Sequence, residues 1–215
     1  MGRLKIKKSK DWKAKLRPYH YRDLFEQAVE RTAELGLPAV DVEYVDARHF
    51  SPERLKQFGS FVAEEFAPAL AGGLSATCMV VHSGLVGAVE EFFKCKAYFT
   101  VGSVITPKGE MYPLSAAQVR RWMTEKVDAR DVELHAWITL DSMEILDMTF
   151  LPTIADVSRR PEIAKPIATH PDLLPRAQPQ GTDPATLPNG LRYSPFVVGQ
   201  AFLERLGLAT VHINY

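Results

Sequence analysis

An α+β fold, in which a cysteine-bearing helix packs on an antiparallel sheet, is predicted by three observations. The chain has 215 residues, 46% hydrophobic and 24% charged, which is typical of a folded globular protein of one domain. Helical patterns precede the strand patterns instead of alternating with them. Two strand-like runs, Glu133–Leu140 and Met143–Phe150, flank a short turn and predict a hairpin.

The first half of the chain predicts helices joined by short connections. Apolar residues recur at helical spacing over Tyr21–Leu35, and a glycine follows as a natural stop. Partial alternation predicts a short strand over Ala39–Val45. Ser51 is an expected N-cap with Pro52 at the first helical position, and this helix is expected to run to about Phe66.

Strand patterns and prolines dominate the second half. Cys95–Ile105 is rich in aromatic and β-branched residues and predicts a strand, and Ser115 is expected to cap a short helix that ends near Lys126. Eight of the 15 prolines lie between residues 161 and 195, so the segment 159–193 is expected to be irregular. Apolar spacing over Ser194–Leu206 predicts a last helix.

Charge is concentrated at the amino terminus. Residues 1–17 hold eight basic residues against Asp11, a net charge of +7 in a chain whose total is zero. We therefore divide the chain into a basic arm, 1–17, and one domain, 18–215. The arm fits an acidic partner or a solvated tail. Nucleic-acid binding is not expected, because no basic face studded with aromatic residues follows.

The sequence shows neither a membrane-spanning segment nor a secretory signal, and this sets the expected location of the protein. No apolar run approaches the ~20 residues that span a membrane, and no apolar stretch follows the basic start as it would in a secretory signal. A cytoplasmic protein is therefore expected, with export by a route without a cleaved signal left open. The two cysteines, Cys78 and Cys95, do not suggest a disulfide scaffold.

A candidate catalytic group is formed by Cys78, His135 and Asp147. The run from Thr77 to Phe93 predicts a helix with Cys78 at its start, where free N–H groups and the helix dipole favour a thiolate. His135 and Asp147 lie on the two arms of the predicted hairpin. They face each other if the turn centres on Asp141, and point to opposite faces if it centres between residues 141 and 142.

These pieces resemble the transglutaminase-like cysteine enzymes of the papain-like superfamily. That family shows a cysteine opening a helix, a His-x-Trp-like strand and an Asp-x-Thr-like strand. The matching pieces here are Cys78, His135-Ala136-Trp137 and Asp147-Met148-Thr149. The resemblance covers about residues 74–150. It implies a papain-like, transglutaminase-like fold with Cys78 as nucleophile, His135 as general base and acid, and Asp147 as the residue that orients the histidine.

The neighbours of this group are expected to bind substrate. Trp137 shares a strand face with His135, His82 follows Cys78 by four residues on one helix face, and Thr77 precedes the cysteine. Cys78, His82 and His135 also suggest zinc, but no further ligand pair clusters with them, so no metal and no cofactor is expected. Cys95 begins a strand with no helix behind it and is expected to be structural.

The sequence therefore predicts a cysteine-dependent hydrolase or acyltransferase that acts on a peptide or isopeptide amide bond. One alternative is a bacterial peptidoglycan amidase or endopeptidase toxin of the same superfamily, with a peptidoglycan-like amide as substrate. Another is a non-catalytic binding module on this fold, since a lone cysteine is more often part of a core than a nucleophile.

Overall fold

The computed structural model describes residues 20–66, 73, 77–106, 109–125, 131–172 and 191–208. The predicted basic arm, the end of the predicted Ser115 helix and residues 173–190 of the proline-rich segment lie outside these ranges. Of the helices within them, none combines the length and the apolar character needed to cross a membrane.

The described residues form six α-helices and six strands. The helices are α1 (Tyr21–Glu34), α2 (Pro52–Glu65), α3 (Cys78–Phe93), α4 (Ala116–Thr124), α5 (Phe150–Ser158) and α6 (Ala201–Arg205). The strands are β1 (Ala97–Thr106), β2 (Gly109–Met111), β3 (His135–Leu140), β4 (Ile145–Asp147), β5 (Ile167–Thr169) and β6 (Arg192–Val198). A single 3₁₀ turn, Pro161–Ile163, follows α5.

The six strands form one antiparallel sheet around β1. β3, β4 and β5 follow one another on one side of β1, and β6 pairs with its other side. β2 pairs with the last residues of β1 on the same side as β3, because Val104 has partners in both β2 and β6. The described pairings of β1 with β3 end at Gly102 and those with β2 begin at Val104, so the sheet is interrupted between them.

Helices pack on both faces of the sheet, which confirms the predicted α+β class and a cysteine-bearing helix on an antiparallel sheet. Alternate residues of β3 supply the two faces. Trp137 packs with Tyr21 and Phe25 of α1, whereas Ile138 and Leu140 pack with α3. Burying large apolar side chains is the dominant stabilising contribution, about 1.5–3 kcal/mol for each.

The turn of the β3–β4 hairpin sets the register that the sequence left open. Its loop consists of Asp141, Ser142 and Met143, and Met143 has a positive φ of 63°. This is the three-residue type of hairpin loop, whose last residue is left-handed. Ile138 consequently pairs with Leu146. Continuing that register places Asp147 opposite Trp137, diagonal to His135 and on the same face, an arrangement that neither predicted register contains.

Three predicted elements are wrong. Residues 39–45 form no strand. The backbone N–H groups of Glu43 and Val45 donate to the Tyr98 hydroxyl and the Asp141 carbonyl, and not to a paired strand. The predicted strand to Phe150 ends at Asp147, where α5 is about to begin. The predicted helix from Ser194 is mostly strand β6, and only Ala201–Arg205 is helical.

Gly102 allows β6 and Trp137 to approach β1. The pairing of β1 with β6 shifts between Val101 and Gly102, and Pro195 stands opposite Gly102. Proline fits there because, among the described strands, β6 pairs with β1 alone and has a bulge at this point. A Cβ at Gly102 would overlap the carbonyl oxygen of Ser194 and lie 2.7 Å from Cη2 of Trp137. No side chain larger than hydrogen fits this position without moving a strand.

Gly102→Ala is therefore expected to lower the free energy of unfolding by about 1–3 kcal/mol or more, as overpacking does. Urea denaturation measures the loss. Gly87→Ala is the matched control, because Gly87 lies in α3 with open space around its Cα and gains helix propensity of about 1 kcal/mol. Equal stability of Gly102→Ala and wild type would contradict this account of the bulge.

Candidate active site

Cys78 is the first residue of α3, as predicted. Its Sγ lies 3.7 Å from the carbonyl oxygen of Leu134, the residue before β3, and the residue is 9% exposed. The first intrahelical bond runs from the Val81 N–H to the Thr77 carbonyl, and the Thr77 side chain makes no capping hydrogen bond. The backbone N–H groups at this helix end place the positive end of the helix dipole at the turn that carries Cys78.

His135 lies between Cys78 and Asp147. Its Nε2 is 2.7 Å from Oδ2 of Asp147, and both residues are buried. Cys78 lies on the other side of the ring and helps to raise the pKa of His135, while the hydrogen bond of its own Sγ runs to the Leu134 carbonyl. Because Nε2 is occupied by the carboxylate, Nδ1 is the ring nitrogen left for the sulfur. The helix start and the hairpin thus join three side chains in the order cysteine, histidine, aspartate.

Asp147 is held by donors from several elements. Its Oδ2 also accepts a hydrogen bond of 2.7 Å from the hydroxyl of Tyr193 in β6. Its Oδ1 accepts the backbone N–H groups of Thr149 and Phe150, each at 2.9 Å. These groups belong to the start of α5, where the helix dipole favours an anion. The fully buried carboxylate therefore has charged or strongly polar partners at both oxygens.

Four aromatic rings surround the His135 imidazole. Tyr112 stacks on it with centroids 5.5 Å apart at 23°, and Trp137 stacks with centroids 5.9 Å apart at 30°. Phe150 and Tyr193 approach at 5.4 and 6.5 Å. Such rings fix the orientation of the imidazole and attract its cationic form. Tyr112 is the half-buried member and has a positive φ of 55°, a strained conformation for a bulky residue.

The electrostatics of the pair favour charge separation. Burial by itself lowers the pKa of His135, but the charge and hydrogen bond of Asp147, with a smaller contribution from Cys78, raise it to about 10. Burial raises the pKa of Asp147, yet the charge and hydrogen bond of His135 hold it far below its ordinary value. The stable state at neutral pH is therefore an imidazolium facing a carboxylate.

His82 connects two parts of the site through hydrogen bonds from its buried ring. The Met148 N–H donates to its Nε2 at 2.9 Å, so the ring proton is on Nδ1 and is donated to the Cys78 carbonyl at 2.8 Å. Burial lowers the pKa of His82 to about 4, against the effect of nearby Asp147. The neutral ring thus links the cysteine turn of α3 to the chain beside Asp147, and neither nitrogen is open to a metal.

The predicted site residues divide into two groups. The structure brings Cys78, His135 and Asp147 together, and Thr77 lies half-buried next to the cysteine. Trp137 and His82, which we expected to contact substrate, are fully buried behind the imidazole and beneath the cysteine. The Trp137 indole N–H donates to the Tyr21 hydroxyl at 2.7 Å. Both positions support the three central residues from the protein interior.

Sequence reasoning missed Tyr112 and Tyr193. Tyr112 follows β2 within a stretch that had no assigned role, and Tyr193 lies in a segment expected to be irregular. The only local signal at Tyr112 is the proline after it, which restricts its backbone.

Metal-ligating side chains converge elsewhere, at His49, Cys95 and Asp141 beside the hairpin turn. Comparisons of the chain with family models, curated proteins and solved structures returned no match.

Asp147→Asn is expected to cost about 3–5 kcal/mol of unfolding free energy near pH 6, as the loss of one partner of a buried pair does. The raised pKa of His135 adds stability that is complete below 6.5 and is lost as pH rises to about 10. The lowered pKa of Asp147 adds stability that is lost as pH falls below 3.8. Urea denaturation should therefore show a smaller penalty at about pH 10 than at about pH 6.

The exposed Asp23 of α1 provides the matched control for that substitution. Asp23→Asn should change stability by no more than about 0.5 kcal/mol at either pH. A penalty for Asp147→Asn that is equal at the two pH values would contradict the ion pair.

His82→Gln is expected to flatten the acid side of the stability curve. Neutral His82 in the fold becomes protonated on unfolding below pH 6.5, so wild-type stability falls between 6.5 and about 4. The variant takes up no such proton on unfolding. Loss of the His82 hydrogen bonds lowers its unfolding free energy at neutral pH by about 1–3 kcal/mol. Urea midpoints across this range measure the slope, with exposed His20→Gln as control. Parallel curves for His82→Gln and wild type would refute the neutral buried ring.

Proposed function

We propose that the protein is a cysteine-dependent hydrolase or acyltransferase that cleaves an amide bond through Cys78, His135 and Asp147. The observation that carries the proposal is the buried His135 ring, which bonds to the Asp147 carboxylate at 2.7 Å and whose pKa is raised further by the nearby Cys78 side chain. This is the arrangement in which a thiol is activated by a base and the base is oriented by a third group.

The first half of the reaction forms an acyl-enzyme. His135 already carries a proton on Nδ1 as the imidazolium paired with Asp147, and Cys78 acts as the thiolate, which attacks the amide carbonyl carbon to form a C–S bond. The carbonyl oxygen becomes an oxyanion, which the backbone N–H groups at the start of α3 stabilise. When the tetrahedral intermediate collapses, the C–N bond breaks and Nδ1 gives its proton to the departing amine.

The second half releases the acyl group. Neutral His135 takes a proton from water, whose oxygen attacks the thioester carbon. The C–S bond then breaks, a carboxylic acid leaves, and the thiolate faces the imidazolium again. An amine in place of water gives transfer. Asp147 keeps Nε2 protonated and stabilises the imidazolium throughout, without taking the proton itself.

Peptide and isopeptide bonds are the substrates that fit this chemistry, and a peptidoglycan stem peptide is one member of that class. The route to His135 runs past Tyr112, because Tyr112 is the half-buried ring among its four aromatic neighbours.

A second candidate is a non-catalytic binding module on the same fold. The observation that favours it is the burial of all three groups, with Cys78 only 9% exposed. In that function the His135–Asp147 pair is a structural element and Cys78 is part of the core.

Alkylation of Cys78 separates the two candidates. Iodoacetamide is applied from about pH 5 to about pH 9, and peptide mass spectrometry reports each cysteine. A thiol paired with an imidazolium reacts well near pH 6, whereas an ordinary thiol titrates near ~8.5. We expect fast reaction of Cys78 near pH 6, and a rate reduced roughly tenfold or more in His135→Gln, which retains a donor for Asp147.

Cys95 is the internal reference in the same molecule. Burial, with the charges of Asp141 and Glu90, raises the pKa of Cys95 to about 12, so it should react slowly throughout. Slow alkylation of Cys78 that is indifferent to His135→Gln would favour the binding module. With an amide substrate in hand, Cys78→Ala should lose roughly 10³-fold or more in kcat/KM, while Gly87→Ala on the same helix retains it.

A further inference from the structure

Three metal-ligating side chains from separate elements converge at the turn end of the β3–β4 hairpin. His49 lies in the segment before α2, Cys95 follows the end of α3, and Asp141 opens the hairpin loop. The ligand atoms of all three lie within 4.8 Å of one another. By chain rise, this group is roughly 20 Å along β3 from His135, so it is separate from the candidate active site.

We propose that His49, Cys95 and Asp141 bind a divalent transition metal of the zinc type, with water as the fourth ligand. The proposal is independent of the proposed function. One nitrogen, one sulfur and one oxygen are ligands that zinc accepts in tetrahedral sites, and three protein ligands with an open position are typical of it. Calcium and magnesium are excluded by the nitrogen and sulfur donors, because both ions prefer oxygen.

The spacing of the ligand atoms fits an ion of this size. Nε2 of His49 is 2.7 Å from Oδ1 of Asp141, a hydrogen bond that places one proton where the ion would sit. Zinc–ligand distances near 2.0–2.3 Å set tetrahedral ligands roughly 3.3–3.6 Å apart. The ion would therefore replace that proton and open the His49–Asp141 pair by about 0.6 Å. The sulfur, within 4.8 Å of both atoms, has to move by at most about 1.2 Å.

The charge around the group is negative and buried. Asp141 and Glu144 are both buried, and among the described residues neither forms an ion pair with a lysine or an arginine. Arg54 is close, but its guanidinium donates to the carbonyls of His49 and Phe92. Asp141 faces the His49 ring, whereas Glu144 accepts the His49 backbone N–H. A divalent ion at His49, Cys95 and Asp141 would add positive charge beside these two buried carboxylates.

The surroundings hold the ligands in place. The Lys96 N–H donates to Oδ2 of Asp141 at 2.9 Å and leaves Oδ1 directed at His49. The His49 backbone N–H donates to Glu144 at 2.7 Å, which anchors the loop that carries the imidazole. Such outer partners orient metal ligands. Cys95 lies next to the carbonyl end of α3, where the helix dipole favours a cation.

The rival account is that His49 and Asp141 form a hydrogen bond that fastens the loop to the hairpin and that Cys95 is structural, as the sequence analysis expected. Cobalt distinguishes the accounts, because a thiolate bound to Co²⁺ gives a near-ultraviolet charge-transfer band and Co²⁺ accepts the same ligands as zinc. The protein has two cysteines, so Cys78→Ala is the background in which only Cys95 can produce the band.

We expect tag-free Cys78→Ala protein to bind one equivalent of Co²⁺ with a charge-transfer band, and Zn²⁺ to abolish the band by displacement. The band should vanish in Cys78→Ala/Cys95→Ser. His49→Ala in the same background should weaken binding about tenfold or more, while exposed His20→Ala should not. Zn²⁺ should also raise the unfolding temperature of Cys78→Ala protein but not of the Cys95→Ser double variant.

Two results would overturn the metal site. One is the absence of both the band and a Zn²⁺-dependent rise in unfolding temperature for Cys78→Ala protein at a large excess of each ion. The other is a band or stabilisation that survives Cys95→Ser unchanged. Neither result bears on Cys78, so failure of the metal site and failure of the proposed function are told apart by the alkylation rates.

Discussion

The buried carboxylate of Asp147 is the constraint on which the rest of the structure depends. A carboxylate in the interior is tolerated only when donors surround it, and Asp147 has them from β3, β6 and the start of α5. Each donor fixes an element: the Tyr193 hydroxyl fixes β6, the Phe150 N–H fixes where α5 begins, and His135 supplies the compensating charge. The same carboxylate that sets the protonation of the histidine therefore also organises the surrounding backbone.

Local chemistry made part of the fold predictable. Ser51 and Ser115 accept the N–H groups of Arg54 and Gln118, as N-cap side chains do, and their helices begin where predicted. The cysteine helix was predictable because small and apolar residues recur from Cys78 to Phe93. The register of the hairpin was not predictable, because it depends on a left-handed backbone conformation at Met143. Glycine or asparagine usually occupies such a position and would have indicated it. The end of β4 was signalled by Thr149 and by Pro152 in the first turn of α5, but alternation from Met143 onward masked both signals.

The rest of the fold depends on pairing between strands that are far apart in the sequence. Ser194–Val198 contains aromatic and β-branched residues that suit either a helix face or a strand, and only its partner β1, about ninety residues earlier, makes it a strand. Tyr193 could not be assigned to the site without that pairing, nor Tyr112 without the place where β2 stops. For the candidate site, sequence order identified Cys78, His135 and Asp147, whereas the residues that enclose the imidazole came from segments whose neighbours the sequence does not specify.

Helix α3 connects the candidate active site with the group formed by His49, Cys95 and Asp141. Its 16 residues, about 24 Å long, begin at Cys78 and stop one residue before the Lys94–Cys95 corner. The helix is packed along its length against Ile138, Leu140 and the aromatic residues of α2, so a shift along its axis moves both ends by the same amount. A ligand that displaced the helix at one end would change binding at the other, and the free energy of that coupling would be equal in both directions.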